Sequence, residues 1–246
     1  MNLLLMCDGR VGTQIARWLL ANYPGDIGAV VTMEVNEAFK ESSARSIPSF
    51  TFQSESRLHS ALSHLAPFDL GVLAWWPKLV SRTTLTLSKD GFINTHPSLL
   101  PHNRGKHYNF WALVEGAPFG VTLHFVDEGI DSGDIVAQRP IAWDWEDTGQ
   151  TLYEKASVAM VELFKVTYPE VREGKVCRVP QELDKGSLHY ARELCPASEI
   201  DLERRYSARE LLNLLRARTF AGHPACRFTD NGATYEVTVN IKRKPA

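Results

Sequence analysis

The order of apolar runs in this chain predicts an α/β fold. We expect a doubly wound, mostly parallel sheet with a short C-terminal helix and β-hairpin tail. Three observations carry that expectation. A continuous apolar run, Leu3 to Cys7, breaks at Asp8-Gly9-Arg10-Val11-Gly12 into a helical pattern. A second apolar run, Ile27 to Met33, follows Pro24-Gly25; strand, glycine turn, helix and strand is how such sheets begin. After about residue 185 the composition changes, and the chain closes on alternating apolar residues beyond Asn231-Gly232.

The elements follow in order. Thr13 to Tyr23 is helical, with Ile15, Ala16, Leu19 and Leu20 on one face. Leu58 to Leu65 reads as a helix leading into the strand Asp69 to Ala74. Gly91 to Asn94 and Val121 to Val126 read as further strands. Ile135 to Ile141 alternates less cleanly and is taken as an antiparallel return. Thr151 to Tyr168 is a long helix with Asp147 and Thr148 as candidate caps. Ser187 to Ile200 reads as loop and short turns. Ser207 to Arg218 is helical (Leu211, Leu212, Leu215), and Ser207 with Glu210 has capping-box spacing. Asn231-Gly232, between Phe228 and the run Tyr235-Val237-Val239-Ile241, is a hairpin signal. Lys242-Arg243-Lys244 is read as a solvated end. The expected division is a main domain over 1–185 and a small extension over 186–246.

Composition narrows the function classes. Of 246 residues, 27 are Lys or Arg and 29 Asp or Glu, a net charge of -2. That balance argues against a broad basic nucleic-acid surface. The N-terminal apolar run is too short for a signal peptide or a membrane span. Cys7, Cys177, Cys195 and Cys226 form no C-x-x-C pair. They are expected as reduced thiols in a cytoplasmic protein, packed as small buried hydrophobes. Gly9 and Gly12 give only G-x-x-G, short of the full dinucleotide fingerprint. No acidic residue clearly closes the second strand to hold a ribose. A tight strand-to-helix turn is the simpler account.

The chemistry concentrates between Phe92 and Asp134. Asn94 and His96 stand two apart at the carboxyl end of a strand, hence on the same side. Ligands of open parallel sheets bind beyond those ends. Pro97 and Pro101 fix the exit loop. Downstream lie four acidic residues, Asp127, Glu128, Asp131 and Asp134, among which the spacing does not choose. No pair of histidines has metal-ligand spacing with a nearby cysteine, so no metal is expected.

The block N-x-H-P-S-L-L-P, then R-G, G-V-T-x-H and D-x-G-I-D-S-G-D, resembles the folate-dependent formyltransferases. The motifs span residues 92–138, and the order of elements agrees over about 1–180. The resemblance implies Asn94, His96 and Asp131 as the catalytic group, Asp131 because Ser132-Gly133-Asp134 follows it. It implies N10-formyltetrahydrofolate as formyl donor, leaving as tetrahydrofolate. In this chemistry a neutral amine attacks the formyl carbon. Asn94 is suited to donate to the developing oxyanion, and His96 to exchange a proton with the amine. Asp131 is suited to orient His96. His124 is read as a packed residue or a support for the catalytic group rather than as a catalyst; His59, His64 and His189 are read as surface residues.

The folate is expected between the loop Trp75-Trp76-Pro77-Lys78 and the backbone around Val126, Asp127, Gly129 and Ile130. One tryptophan would line the pterin while the other packs inward. Among acceptors, the chain most resembles the sugar-nucleotide N-formyltransferases, in its compact core, its Arg104-Gly105-Lys106 segment and its Arg216-to-Pro224 linker. That implies a dTDP-linked 4-amino- or 3-amino-dideoxyhexose, formylated for surface polysaccharide such as lipopolysaccharide O-antigen. Arg10, Arg104 and Lys106 are candidates for the pyrophosphate. His102, Gly105 and Phe220 are further substrate candidates, Phe220 equally as a packing residue. A methionyl-tRNA formyltransferase would need a tRNA-binding barrel, for which few residues follow the core. The alternatives are that enzyme or another amine formyltransferase, a formyltetrahydrofolate hydrolase, or a non-catalytic module. The apolar tail hairpin is expected to pack on a second subunit, giving a homodimer.

Overall fold

The computed structural model describes residues 1–245. It begins β1 (Leu3–Cys7), α1 (Gly9–Asn22), β2 (Ile27–Thr32), α2 (Glu37–Ser43), β3 (Ser49–Thr51), α3 (Glu55–Leu62), β4 (Leu70–Ala74) and α4 (Arg82–Leu85). There follow β5 (Phe92–His96), β6 (Arg104–Gly105), α5 (Tyr108–Glu115), β7 (Gly120–Phe125), β8 (Ile135–Pro140) and α6 (Gly149–Arg172). The chain ends with β9 (Leu188–His189), α7 (Leu194–Ala197), α8 (Ala208–Arg218), β10 (Cys226–Asp230) and β11 (Ala233–Val237). Seven strands form one sheet in the order β3-β2-β1-β4-β5-β7-β8. The first five run parallel, and β7 pairs antiparallel with β5. The fold is the α/β class expected.

Every residue of β1 and β4 is buried, which is why those strands read as unbroken apolar runs rather than as alternation. Helix α1 starts four residues earlier than its apolar pattern predicts, because both glycines belong to its first turn. Gly9 takes φ +60 at the bend. Gly12 lets the helix press on the sheet: a Cβ there would lie 2.5 Å from the Ala74 carbonyl oxygen. Helices α2 and α5 escaped the sequence reading; they span 7 and 8 residues, too short to develop a clear period. Thr148 and Ser207 cap as predicted, whereas Asp147 instead binds Asp144 N, Thr151 Oγ1 and Lys155. Thr148 Oγ1 accepts from Thr151 N at 3.3 Å, and Ser207 Oγ from Glu210 N at 3.1 Å. The hairpin β10–β11 turns on Asn231 (φ 47) and Gly232 (φ 80), the paired left-handed conformations that Asn-Gly favours.

The described residues cluster into two compact units. The first comprises 1–96, 122–137 and 160–180. Its core cluster includes Leu4, Met6, Val31, Phe68, Trp76 and Phe92, each large apolar side chain contributing about 1.5–3 kcal/mol. Beneath it, buried Asp26 accepts from Arg172 Nε at 2.7 Å and Tyr168 Oη at 2.8 Å. The second comprises 97–121, 138–159 and, of the described residues, 181–245. In it α5 packs against α8. Arg216 is buried with its guanidinium over Trp143 and Trp145, 5.0 and 4.6 Å from the ring centroids. Its Nε donates to Asn213 Oδ1 at 3.0 Å. The paired β6 and β9 also belong to this unit.

The cysteines depart from expectation. Cys7 and Cys226 are buried, but Cys177 and Cys195 are exposed. Burial, and for Cys7 the adjacent Asp8, pushes both buried thiols up to about 12.

Candidate active site

The first unit gathers a polar cluster at the end of β5. Strand alternation puts Asn94 and His96 on one side, and β7 delivers His124 directly opposite Asn94. The loop after β7 returns with Asp131. His96 Nδ1 lies 3.3 Å from Asp131 Oδ2. Asn94 Nδ2 lies 3.3 Å from Asp131 Oδ1 and 3.2 Å from His124 Nε2. His96 and His124 are 4% and 2% exposed, so these contacts act in a low dielectric.

Donor logic fixes the arrangement. A carbonyl only accepts, so His124 Nδ1, 2.8 Å from the Phe125 oxygen, carries a proton. In the neutral ring Nε2 then accepts from Asn94. A carboxylate likewise accepts, so the Asn94 NH2 edge, not its oxygen, faces Asp131. Of the two readings for His124 the structure favours the supporting one: its ring contacts the Asn94 amide. One ring nitrogen each of His96 and His124 and a carboxylate oxygen of Asp131 lie within 4.8 Å of one another. Sequence spacing missed that grouping because three separate elements supply it.

The loop itself separates the four acidic residues. Phe125 N–H donates to the Asp134 carbonyl at 2.8 Å, closing the loop at its base. Asp127 Oδ1 accepts from Gly129 N at 3.0 Å and Ser132 Oγ at 2.8 Å, which folds the turn. Glu128 points outward and pairs with Arg82. Asp131, at φ 48, takes the left-handed conformation that aspartate tolerates better than most residues. Gly133 approaches closely: a Cβ there would lie 2.0 Å from the Phe125 carbonyl oxygen.

On its other face β5 anchors the neighbouring loop. Thr95 Oγ1 accepts from Trp75 N at 2.7 Å and donates to the Leu73 carbonyl at 3.1 Å. Trp75 sits at φ 57, half-buried. Trp76 packs inward, edge-on to Phe52 at 5.5 Å. Pro77 and Lys78 are exposed. Val126 packs on the same apolar cluster as Trp76, so the two loops share an apolar flank suited to a flat heterocycle. The Val126 and Gly129 N–H groups are already spent inside the protein, on the Phe92 carbonyl and on Asp127.

Arg10 is exposed beside a cleft of about 310 Å³ lined by Asp8, Gly9, Thr13, Glu34 and Asn36. The remaining substrate candidates belong to the second unit. His102 offers its carbonyl to Ser98 Oγ at 2.7 Å. Arg104 and Gly105 form β6, paired with Leu188 and His189, and Lys106 is exposed beside them. Phe220 lies among aromatics, 5.7 Å from Tyr153 and 4.7 Å from His223. His189 is not the surface residue expected. Its ring stacks flat on Trp111, 3.8 Å between centroids at 7°.

Residues 21–166 match the model of the formyl transferase family. The chain belongs to that family. Residues 193–243 match a second model, the N-formyltransferase dimerization C-terminal domain. Among curated relatives, the methionyl-tRNA formyltransferase of Thermodesulfovibrio yellowstonii is 36% identical over 149 residues. That match covers 60% of this chain and 47% of the relative, so the chain spans about half the length of the curated relatives it matches. Among solved structures, a 4-N formyltransferase from Francisella tularensis aligns over 99% of this chain and 98% of its own. Its TM-score is 0.81 at 21% identity. An N-formyltransferase from Helicobacter canadensis, solved with folinic acid and dTDP-3-aminofucose, aligns over 94% and 84% at TM-score 0.73 and 18% identity. Among the described residues no helix is long and apolar enough to cross a membrane.

Proposed function

We propose that this protein transfers a formyl group from N10-formyltetrahydrofolate to the amine of a nucleotide-linked aminodideoxyhexose. The observation that carries the formyl-transfer reading is the hydrogen-bonded Asn94–His96–Asp131 group, with His96 buried and its two partners half-buried, in a chain of the formyl transferase family. In this reading Asp131 holds His96 Nδ1, so proton exchange with the amine falls to Nε2. The Asn94 bonds to His124 and Asp131 are long, and the amide turns at little cost toward an oxygen gaining charge. The donor supplies an activated formamide. The apolar flank of Trp75 and Val126, with the backbone of Asp127 and Ile130, is the surface fitted to hold its ring.

The sugar acceptor is supported by the Francisella tularensis and Helicobacter canadensis likenesses and by the tail match at 193–243. The acceptor is read as a dTDP-linked 4-amino- or 3-amino-dideoxyhexose destined for O-antigen-type polysaccharide, made in the cytoplasm. Arg10, Arg104 and Lys106 are its pyrophosphate candidates. Residues 1–185 are assigned the chemistry and 186–246 assembly into a homodimer. The identity to methionyl-tRNA enzymes supplies the competing acceptor. The test is release of tetrahydrofolate from formyltetrahydrofolate, followed with dTDP-, UDP- and GDP-aminosugars and with methionyl-tRNA. Turnover that requires an aminosugar nucleotide is expected. Turnover with methionyl-tRNA alone, or with water alone, would reject the proposal.

A further inference from the structure

Within the second unit, the segment 187–193 lies across the loop 103–106 and ties it down. The Arg104 N–H donates to the Ser187 carbonyl at 2.9 Å, and the Lys106 N–H to the His189 carbonyl at 3.0 Å. Asn103 N–H reaches Ser187 Oγ at 3.2 Å. Gly105, at φ +87, is required here: a Cβ would lie 2.2 Å from the His189 carbonyl oxygen.

His189 locks this arrangement with its side chain. Its Nε2 meets Glu115 Oε1 at 2.6 Å and its Nδ1 meets Glu193 Oε2 at 3.1 Å. Carboxylates only accept, so only the doubly protonated ring donates to both. The other Glu115 oxygen accepts from Asn103 Nδ2 at 2.8 Å and Ser187 Oγ at 2.9 Å. Glu115 closes α5, and Trp111 of that helix carries the stacked imidazole. The loop is therefore held by backbone, by a shared carboxylate and by a ring clamped on helix α5.

Such bracing is more than a surface turn needs for stability. Arg104 and Lys106 are long, flexible cations, and holding an anion in one pose requires their backbone to be fixed first. We infer that His189 is a positioning residue for the acceptor: through Glu115, Glu193 and Trp111 it holds the 103–106 loop in its binding conformation. This rests on the proposal that the loop meets the aminosugar nucleotide.

His189→Phe keeps an aromatic face for Trp111 and removes both donors. We expect amide exchange at 103–106 to rise roughly tenfold, in line with loss of a charge-assisted bond. The acceptor KM should rise by about the same factor, with donor KM and kcat at saturating acceptor nearly unchanged. His189→Gln, which retains a donor for Glu115, should recover part of both effects. Glu193→Gln gives the same direction more weakly, and carries the test if His189→Phe does not fold. Unchanged exchange at 103–106 would overturn the bracing itself. Faster exchange with an unchanged acceptor KM would show a braced loop that does not serve the acceptor. A wild-type protein inactive on every aminosugar nucleotide would remove the acceptor reading and this role together.

Discussion

Asn94 has two amide hydrogens, and the resting site uses both. One goes to His124 and one to Asp131, at distances on the long side for hydrogen bonds. A donor already satisfied but weakly held is stabilised against burial without being locked, which suits a group that must turn toward a transient charge. His96→Asn and Asp131→Asn should each lower kcat by roughly 10²–10⁴ with little change in melting temperature. Steady-state rates within tenfold of wild type in both variants would refute their role. His124→Phe should lower kcat by roughly 10–100-fold through misplacement of Asn94, leaving both KM values near wild type. The pairing of Asn94 with His96 was legible because strand alternation is a rule of geometry. Asp131 was not separable from Asp127, Glu128 and Asp134 by spacing, since what distinguishes them is which carboxylate folds the turn. His189 was misread because its partners Trp111 and Glu115 lie far away in sequence and meet it only through tertiary packing.

At the scale of elements, the loop between β7 and β8 is set by closeness rather than by hydrogen bonds alone. The base is closed by Phe125 and Asp134, and Gly133 passes against the Phe125 carbonyl. Gly133→Ala should destabilise the protein by about 1–3 kcal/mol, read as a lower melting temperature. It should also depress kcat, because Asp131 moves with the loop. Retention of full activity with an unchanged melting curve would contradict that geometry. Six of the seven sheet strands were readable to within two residues at each end, the buried ones because burial demands continuous apolar sequence; β3, only 3 half-buried residues long, escaped the reading. Helix α1 was read four residues late for a definite reason: Gly9 and Gly12 signal a turn by composition, whereas here they open a helix that must lie almost against the sheet. The short α2 and α5 expose only two turns each, and their amphipathic pattern is lost among loop residues.

For the molecule as a whole, Asp26 ties α6 to the bend before β2. Burial alone would raise its pKa, but the bonds from Arg172 and Tyr168 outweigh that and hold it below the usual carboxylate range. A depressed carboxyl contributes its stabilisation in full above the unfolded value near ~3.9 and loses it as pH falls through the folded value. Acid unfolding of wild type should therefore be steeper below about pH 4 than that of Asp26→Asn. The variant should melt several degrees lower at neutral pH, and that gap should close as the pH falls and Asp26 of the wild type is protonated. Parallel melting curves across that range would exclude the linkage. A thiol reagent at neutral pH should label Cys177 and Cys195 and spare Cys7 and Cys226 in the folded protein. Four equal labelling rates would contradict the burial pattern.

Strand β5 serves two masters by parity. Asn94 and His96 face Asp131 and the proposed site, while Thr95 between them reaches the opposite way to pin Trp75. A side-chain replacement at any of the three touches one task. A single-residue insertion or deletion within β5 would exchange the faces, turning the chemistry inward and the anchor outward. In a library of variants this strand should accept graded losses by substitution yet show no functional survivors among length changes, a sharper boundary than its burial alone would set.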